Sequence, residues 1–382
     1  MIYLDNAATT KPKKEVIEAM MPYLTDMWYN PSSLYTPSVN VKKDIEKARE
    51  TIAKFIEADS NEIFFTSCGS ESNCFAIQGF VNKCLSRNRR PIVITSMIEH
   101  KSILECVKNL YNTDVFYINV DSEGYINLKL LEDILQGVSD TIKSQKSDVL
   151  VSIQFSNNEI GTTQHIEHIA KLVHKYGGVF HTDAVQAFGQ VKIDVKNLDI
   201  DMMSVSGHKI GTPKGIGFLY KKLDVNIKPL IYGTQMDSMR GGTENVPYII
   251  GMAKAIELLD IDKKMKVINI REYMVKNLID KFECKLNGAT YNRLLNNINV
   301  VLPDGVSGEA VLYMLEMSNI YISTSSACNS HSIKPSVVLK SIGLSDDEAM
   351  RSIRITISED ITYEDVDCFI SELDKIIKII KV

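Results

Sequence analysis

The sequence has little that points to a membrane, a nucleic acid or an oxidising compartment. No apolar run approaches the roughly 20 residues that span a bilayer. The opening Met1-Ile2-Tyr3-Leu4-Asp5 lacks the basic-then-apolar pattern of a secretory signal and reads as a strand. Charge is nearly balanced, 43 Lys and Arg against 48 Asp and Glu, a net of -5. No basic surface for nucleic acid is expected from that balance. Seven cysteines are scattered at 68, 74, 84, 106, 284, 328 and 368, and no two are separated by two residues. That spacing excludes zinc-ribbon and thioredoxin-type sites. The odd number reads as free thiols in a reducing, cytoplasmic compartment. No Gly-x-Gly-x-x-Gly follows the first strand, which weakens a nicotinamide reading. There is no internal repeat and no low-complexity stretch.

What is present is enough apolar material for two cores. The chain has 382 residues, 45% of them hydrophobic, beyond the size at which one core usually keeps growing. Short apolar runs at 63–66, 91–95, 114–118, 148–153, 178–182 and 201–205 read as strands. Helical periods lie between several of them, as at 39–55 and 166–176. Near-continuous apolar strands alternating with helices predict an α/β fold, a mostly parallel sheet covered on both faces. The segment 251–285 reads as long, charged and helical, and a second, smaller α/β unit follows. The expected division is a large domain over 14–255 and a small one over 256–382, with residues 1–13 packing beside the small one. The apolar, lysine-rich tail at 373–382 is expected to be a packed terminal helix rather than a membrane-surface one.

Chemistry-bearing residues cluster at the ends of the expected strands, where ligands bind in such sheets. Lys209, in Ser206-Gly207-His208-Lys209-Ile210, follows a strand by a few residues, with Gly207 permitting a tight turn. A lysine that holds an aldehyde cofactor needs such a rigid mount. A pyridoxal phosphate ring also needs a carboxylate on its pyridinium nitrogen. Asp183 ends the preceding strand and suits that role. Gln186 could donate to the phenolic oxygen, and Ser206 and His208 could reach the phosphate. Gly69 and Ser70, between a strand and the apolar run from Phe75, offer phosphate donors at a helix start. His100, after another strand, could stack over the ring.

These motifs, taken in order, resemble those of the cysteine desulfurases of the aminotransferase class V family, nearly from end to end. The likeness runs through Tyr3-Leu4-Asp5-Asn6-Ala7-Ala8-Thr9-Thr10, Asn30-Pro31-Ser32-Ser33, Glu99-His100-Lys101 and Asn157-Asn158-Glu159-Ile160-Gly161. It continues in His181-Thr182-Asp183-Ala184-Val185-Gln186, Ser206 to Lys209, Arg240-Gly241-Gly242-Thr243, Ser325-Ser326-Ala327-Cys328-Asn329-Ser330 and Ser352-Ile353-Arg354. The resemblance implies the type I fold of pyridoxal-phosphate enzymes. It implies Lys209 as the Schiff-base lysine, Asp183 as the ring-nitrogen partner and His100 as the stacking base. Gly69, Ser70, Asn158, Gln186, Ser206 and His208 would hold the cofactor. Thr243 would reach the phosphate of a neighbouring subunit, hence a homodimer. Arg354 would clamp the carboxylate of L-cysteine, beside Asn158 and Asn30. Cys328 would take the sulfur as a persulfide, leaving alanine. The long stretch from Ser323 to Pro335 around Cys328 resembles the branch with a long mobile cysteine loop, which passes sulfur to an iron–sulfur scaffold or a tRNA thiolation enzyme.

Some positions depart from the family's pattern. Tyr232-Gly233-Thr234-Gln235-Met236 replaces a glycine-rich stretch, which puts subunit contacts and acceptor choice in question. Tyr35 stands for a histidine, Cys68 and Ser70 for a glycine and a threonine, and Cys74 for an asparagine. His165 and His168, three residues apart on one helix face, have a metal-compatible spacing, but the adjacent Asn157 to Gly161 motif explains that region better. The rival readings are a selenocysteine lyase or another class V enzyme, and a silenced protein that only docks a scaffold.

Overall fold

The computed structural model describes residues 1–260, 262–324 and 334–381. Its centre is a seven-stranded sheet in the order Ile63–Thr66, Gly217–Lys221, Met202–Ser206, Val179–Asp183, Ser147–Ser152, Arg90–Ser96, Asp114–Ile118. All neighbours are parallel except Gly217–Lys221, which runs antiparallel to both of its partners. The expected strands are present within a residue or two. Every residue of Ile63–Thr66, Met202–Ser206 and Gly217–Lys221 is buried, as strands covered on both faces must be. The sheet is α/β, with helices such as Gly69–Ser86, Lys101–Lys108 and Ile166–Lys175 against it.

The register carries the chemistry to one edge. Thr66 pairs with Gly217, and Gly217 with Ser206. Asp183 pairs with Ser204. The segments that leave these strands, 67–70, 184–186 and 207–209, therefore emerge side by side. In the buried centre of the sheet, His181 lies between the hydroxyls of Ser152 (2.8 Å) and Ser204 (2.9 Å). Burial pushes that imidazole down to about 3, so it is neutral.

The apolar side chains gather into two large clusters. One runs from Val16 to Ile256 around the seven-stranded sheet. The other joins Leu4 to residues between Val267 and Ile377. The second cluster surrounds a four-stranded antiparallel sheet of Ser323–Thr324, Ser352–Thr356, Asn297–Val301 and Lys285–Leu286. Ile2–Tyr3 pairs in parallel with Ile320–Tyr321. The segment 251–285 is two helices rather than one, Val246–Glu257 and Asp262–Phe282. The first ends where Leu259 turns in against Gly189 and the Leu258 carbonyl accepts from Lys13 Nζ. The tail is the helix Tyr363–Ile380, begun by a Thr362/Asp365 capping box, with Leu373, Ile376 and Ile377 buried. Asp346–Met350 opens with the capping box of Ser345 and Glu348, so the acidic run there is a helix start.

Candidate active site

Lys209 ends a 3-10 turn, Gly207–Lys209, that follows the strand Met202–Ser206 directly. Gly207 serves that turn differently from the sequence expectation. Its φ is not left-handed. Instead, a Cβ there would lie 2.5 Å from Thr212 Oγ1 and 2.8 Å from Ile216 Cγ2. Lys209 Nζ donates to the carbonyls of Ala7 (2.5 Å) and Ala8 (2.8 Å). Gln186 Nε2 donates to the same Ala7 carbonyl at 3.1 Å. Thr10 donates to the His208 carbonyl from its backbone N–H (3.0 Å) and from its hydroxyl (2.8 Å). The segment 7–10 thus forms one wall of the site. A cavity of about 630 Å³ lies along it, lined by Asn6, Thr10, Lys209, Gly211, Asn296 and Ser358 among others.

Asp183 closes the strand Val179–Asp183 and is almost wholly buried. Its Oδ1 accepts from Val185 N–H (2.9 Å) and its Oδ2 from Asn73 Nδ2 (2.7 Å). Both donors are neutral. A buried carboxylate held only by amides suits a cationic partner. Asn73 Nδ2 also reaches Ser102 Oγ at 2.9 Å, and Ser102 Oγ lies 2.8 Å from His100 Nδ1. A polar chain therefore runs from Asp183 through Asn73 and Ser102 to His100, which caps the helix Lys101–Lys108. Desolvation by the wall around the ring lowers the His100 pKa. Asp183 opposes that, while Lys209 and Lys101 add to it. Beneath His100, Glu99 is buried and accepts from Ser96 Oγ (2.6 Å) and Gln154 N–H (2.9 Å). Burial pushes it up to about 8, against those hydrogen bonds and with help from the Asp183 charge.

The expected phosphate donors, Gly69 and Ser70, open the helix Gly69–Ser86. A Cβ on Gly69 would sit 2.6 Å from Val185 Cγ2 and 3.3 Å from Ser206 Cβ. Only a glycine lets the helix start come down between those strand ends. The free N–H groups and partial positive charge of a helix start favour an anion there. His208, with its Nδ1 3.2 Å from Thr9 Oγ1, is pushed down to about 4 by burial, with Lys209 and Lys214 adding to the effect. Arg240 is linked to this end. Its Nε donates to Glu71 Oε1 at 3.0 Å, and Glu71 Oε2 accepts from Ser67 N–H at 2.7 Å. Burial opposes ionisation of Glu71, yet Arg240 and Ser67 hold it below the usual carboxylate value.

Arg354, on the strand Ser352–Thr356, is held from two sides. Its Nη2 meets Asp5 Oδ1 at 2.7 Å and its Nη1 donates to the Asn158 carbonyl at 3.3 Å. Its Nε is buried and has no hydrogen-bond partner among the described residues. Beside it, Glu159 is pushed up to about 7 by burial, against Ser336, Arg354 and Lys101. Ser336 Oγ donates to Glu159 Oε2 at 2.5 Å.

Lys209, Asp183, Gln186, Gly69, Ser206, His208 and His100 thus share one edge of the sheet, and Ser70 follows Gly69 on the same helix turn. Arg354 and Asn158 meet each other nearby. Asn30 and Thr243 are exposed. Asn30 Oδ1 accepts from Ser32 N–H at 2.9 Å, a local turn. Thr243 lies on the loop that Arg240 ties to Glu71. Cys328 and its neighbours Ser325 to Ser330 lie outside the described residues. Sequence reasoning missed Asn73, Ser102, Glu99 and Asp5 as positioning groups. Three of them stood inside quoted motifs or beside them, but their partners are set only by the fold. Among the described residues no cluster of three or more metal-ligating side chains occurs, and His165 instead stacks on Tyr125 at 5.1 Å.

The residues present fit pyridoxal phosphate: a lysine on a rigid turn, a carboxylate with neutral donors, and an anion cradle that a Cβ would fill. The aminotransferase class-V family profile matches residues 2–369. The Cysteine desulfurase IscS of Clostridium botulinum is 42% identical over 99% of this chain and 94% of its own. A solved NifS-like protein superposes with a TM-score of 0.90 at 32% identity, covering 99% of each chain. A structure described as SspA in complex with cysteine has a TM-score of 0.80 at 35% identity, over 94% of this chain and 99% of that one. With motifs, fold and full-length likeness in agreement, the chain belongs to the pyridoxal-phosphate-dependent aminotransferase class-V family, in its NifS-like cysteine desulfurase branch.

Proposed function

We propose that this protein converts L-cysteine to L-alanine and carries the released sulfur on Cys328 as a persulfide. The observation that carries the reading is the convergence of Lys209, Asp183, His100 and the Gly69 cradle at one sheet edge, with Arg354 held at Asp5 and Asn158. The relatives named above act as further support.

Bound pyridoxal phosphate supplies an electron sink for the substrate's reacting carbon. Asp183 holds positive charge on the ring nitrogen. Gly69, Ser70, Ser206 and His208 hold the phosphate, and Gln186 and Asn158 the ring. Arg354 orients the substrate carboxylate through its fork. Lys209 Nζ accepts and returns a proton at the substrate carbon. His100, neutral at pH 7, covers the ring and can hold a proton on its outer nitrogen. The Cys328 thiolate attacks the substrate sulfur. An S–S bond forms, the C–S bond breaks, and the carbon takes a proton to give alanine. Cysteine plus thiol yields alanine plus persulfide, with no outside oxidant or reductant.

The persulfide passes to an acceptor protein, an iron–sulfur scaffold or a tRNA thiolation enzyme, in the cytoplasm. No described helix is long and apolar enough to cross a membrane. The working unit is a homodimer in which Thr243 serves the partner's site. Trp28 (70% exposed), Leu34 (96%) and Tyr35 (53%) support self-association, because large apolar groups so open in one stretch usually mark an interface. The two apolar clusters support a large domain over 14–255 and a small one over 256–382 with residues 1–13 beside it.

The test is a visible spectrum of the purified protein, then cysteine addition with alanine and sulfide assayed together. The expected result is a cofactor band and matched products. Cys328→Ala keeps the band and loses sulfide release. Sustained desulfuration by that variant, or a wild-type band without alanine, would sink the reading.

A further inference from the structure

Asp183 and His100 belong to different elements, yet one amide and one hydroxyl join them. Asn73, on the helix Gly69–Ser86, is 1% exposed. Its Nδ2 carries two hydrogens and both are used, one on Asp183 Oδ2 at 2.7 Å and one on Ser102 Oγ at 2.9 Å. The carboxylate oxygen accepts, so it fixes which way the amide faces. The turned amide would set Oδ1 against Asp183. As it stands, Oδ1 is buried and has no partner among the described residues. A buried amide with an idle oxygen is oriented by what its nitrogen holds.

The same direction continues through Ser102. Its oxygen takes a hydrogen from Asn73, so its own hydrogen is left for His100 Nδ1, 2.8 Å away. The Ser102 backbone N–H meets that ring nitrogen too, at 3.1 Å. A backbone N–H can only donate. Nδ1 is therefore an acceptor twice over, and the proton of the neutral ring sits on Nε2. His100 is the N-cap of the helix Lys101–Lys108 and Ser102 is its second residue. The helix start and the serine thus grip the same ring nitrogen, and the nitrogen left for a ligand is Nε2 with its hydrogen.

We propose that Ser102 is a positioning residue for the desulfurase reaction: with Asn73 it relays the polarity of Asp183 to His100 and fixes the Nε2–H tautomer, so that His100 meets its ligand as a hydrogen-bond donor. This rests on the cofactor placement and activity proposed above. No proton travels along the relay; only the direction of the hydrogen bonds is passed on. The charges acting on the ring are Asp183, which favours the imidazolium, and Lys209 and Lys101, which oppose it. The Ser102 hydroxyl adds a neutral influence. It bonds the lone pair that protonation would fill, and so favours the neutral ring. A ring nitrogen with a hydrogen and no lone pair suits an electron-rich oxygen or sulfur. It takes no proton from the substrate, which leaves that task to Lys209. The carboxylate assigned to the ring nitrogen of the cofactor also dictates where the stacked histidine keeps its hydrogen.

The experiment reads the ring directly. Holoenzyme containing isotope-labelled histidine is studied by solid-state NMR, which separates protonated from unprotonated ring nitrogens and tells Nδ1 from Nε2 through the ring carbons. The His100 signals are those lost in His100→Asn. The expected neutral ring has a protonated Nε2 and a bare Nδ1. Ser102→Ala should let Nδ1–H appear and raise the His100 titration midpoint by about half a pH unit. Ser102→Thr keeps the hydroxyl and should restore both. In the alanine-formation assay, Ser102→Ala should lower kcat about tenfold and change KM less than about twofold. Ser102→Gly also lacks the hydroxyl and stands in if the alanine variant does not fold. A proton on Nδ1 in the wild type, the same tautomer and midpoint without the hydroxyl, a loss that threonine does not reverse, or an unchanged kcat would each overturn the proposal. The NMR reading needs no turnover and is repeated on cofactor-free protein. A wild type with the Nε2–H tautomer but no alanine product would sink the desulfurase reading and leave the tautomer assignment standing.

Discussion

Asp5 Oδ1 and Arg354 Nη2 lie 2.7 Å apart, joining residues 349 positions distant in the chain. The pair is largely buried, with side-chain exposures of 19% and 8%. It holds the arginine's fork, while Nε has no partner among the described residues. Asp5→Ala is expected to raise KM for cysteine about tenfold, roughly 1.4 kcal/mol, with a smaller change in kcat. It should also lower Tm, since stripping one partner from a buried pair leaves the other charge uncompensated. Steady-state kinetics beside a melting curve check this. An unchanged KM would mean that Asp5 does not position Arg354.

Gly69→Ala tests the anion cradle. The new methyl would meet Val185 Cγ2 at 2.6 Å, and valine has no flexible end to swing away. Overpacking of this kind costs about 1–3 kcal/mol. Cofactor affinity is expected to fall at least about tenfold on the same scale, read by equilibrium dialysis against pyridoxal phosphate. Full affinity in this variant would place the phosphate elsewhere.

His100 should set the acid limb of the rate profile. Its pKa is lowered from 6.5 by desolvation, with Asp183 opposing and Lys209 and Lys101 adding. The ring is therefore neutral at pH 7, and activity should drop only as pH falls below 6.5. His100→Gln should lower kcat by about a hundredfold and flatten that limb. A limb that survives the substitution belongs to another group.

Glu99 makes stability depend on pH in the opposite sense to a surface carboxylate. Its folded pKa is about 8 against a reference of 4.5. The folded state binds more protons across that window, so this contribution is complete below pH 4.5 and is lost as pH rises through 8. Glu99→Gln mimics the protonated acid. The variant should match the wild type near pH 4.5 and gain on it by a few degrees in Tm, about 1–4 °C, by pH 8. A constant difference across that range would contradict the buried neutral acid.

Local sequence carried the sheet and the strand-end residues well. Runs such as Ile63-Phe64-Phe65 are apolar throughout because both faces are covered, and that signal needs no tertiary information. Lys209, Asp183 and Gly69 stood out because each lies at a strand's end or within three residues of one. What stayed hidden depends on contacts between distant segments. Asp5 acquires its meaning only from Arg354, and Asn73 only from Asp183 and Ser102. Gly207 does open the expected tight turn, but the reason a glycine is needed there stayed hidden for a related reason. Its neighbours Thr212 and Ile216 crowd it from a later turn, and spacing alone cannot show crowding.

The wall formed by residues 7–10 sets an order of assembly. Ala7 and Ala8 supply the carbonyls that receive Lys209, and Asp5 receives Arg354. During synthesis these acceptors leave the ribosome long before their donors. The strand Ser352–Thr356 is made after every strand of the seven-stranded sheet. A nascent chain can complete the seven-stranded sheet while Asp5 still lacks Arg354.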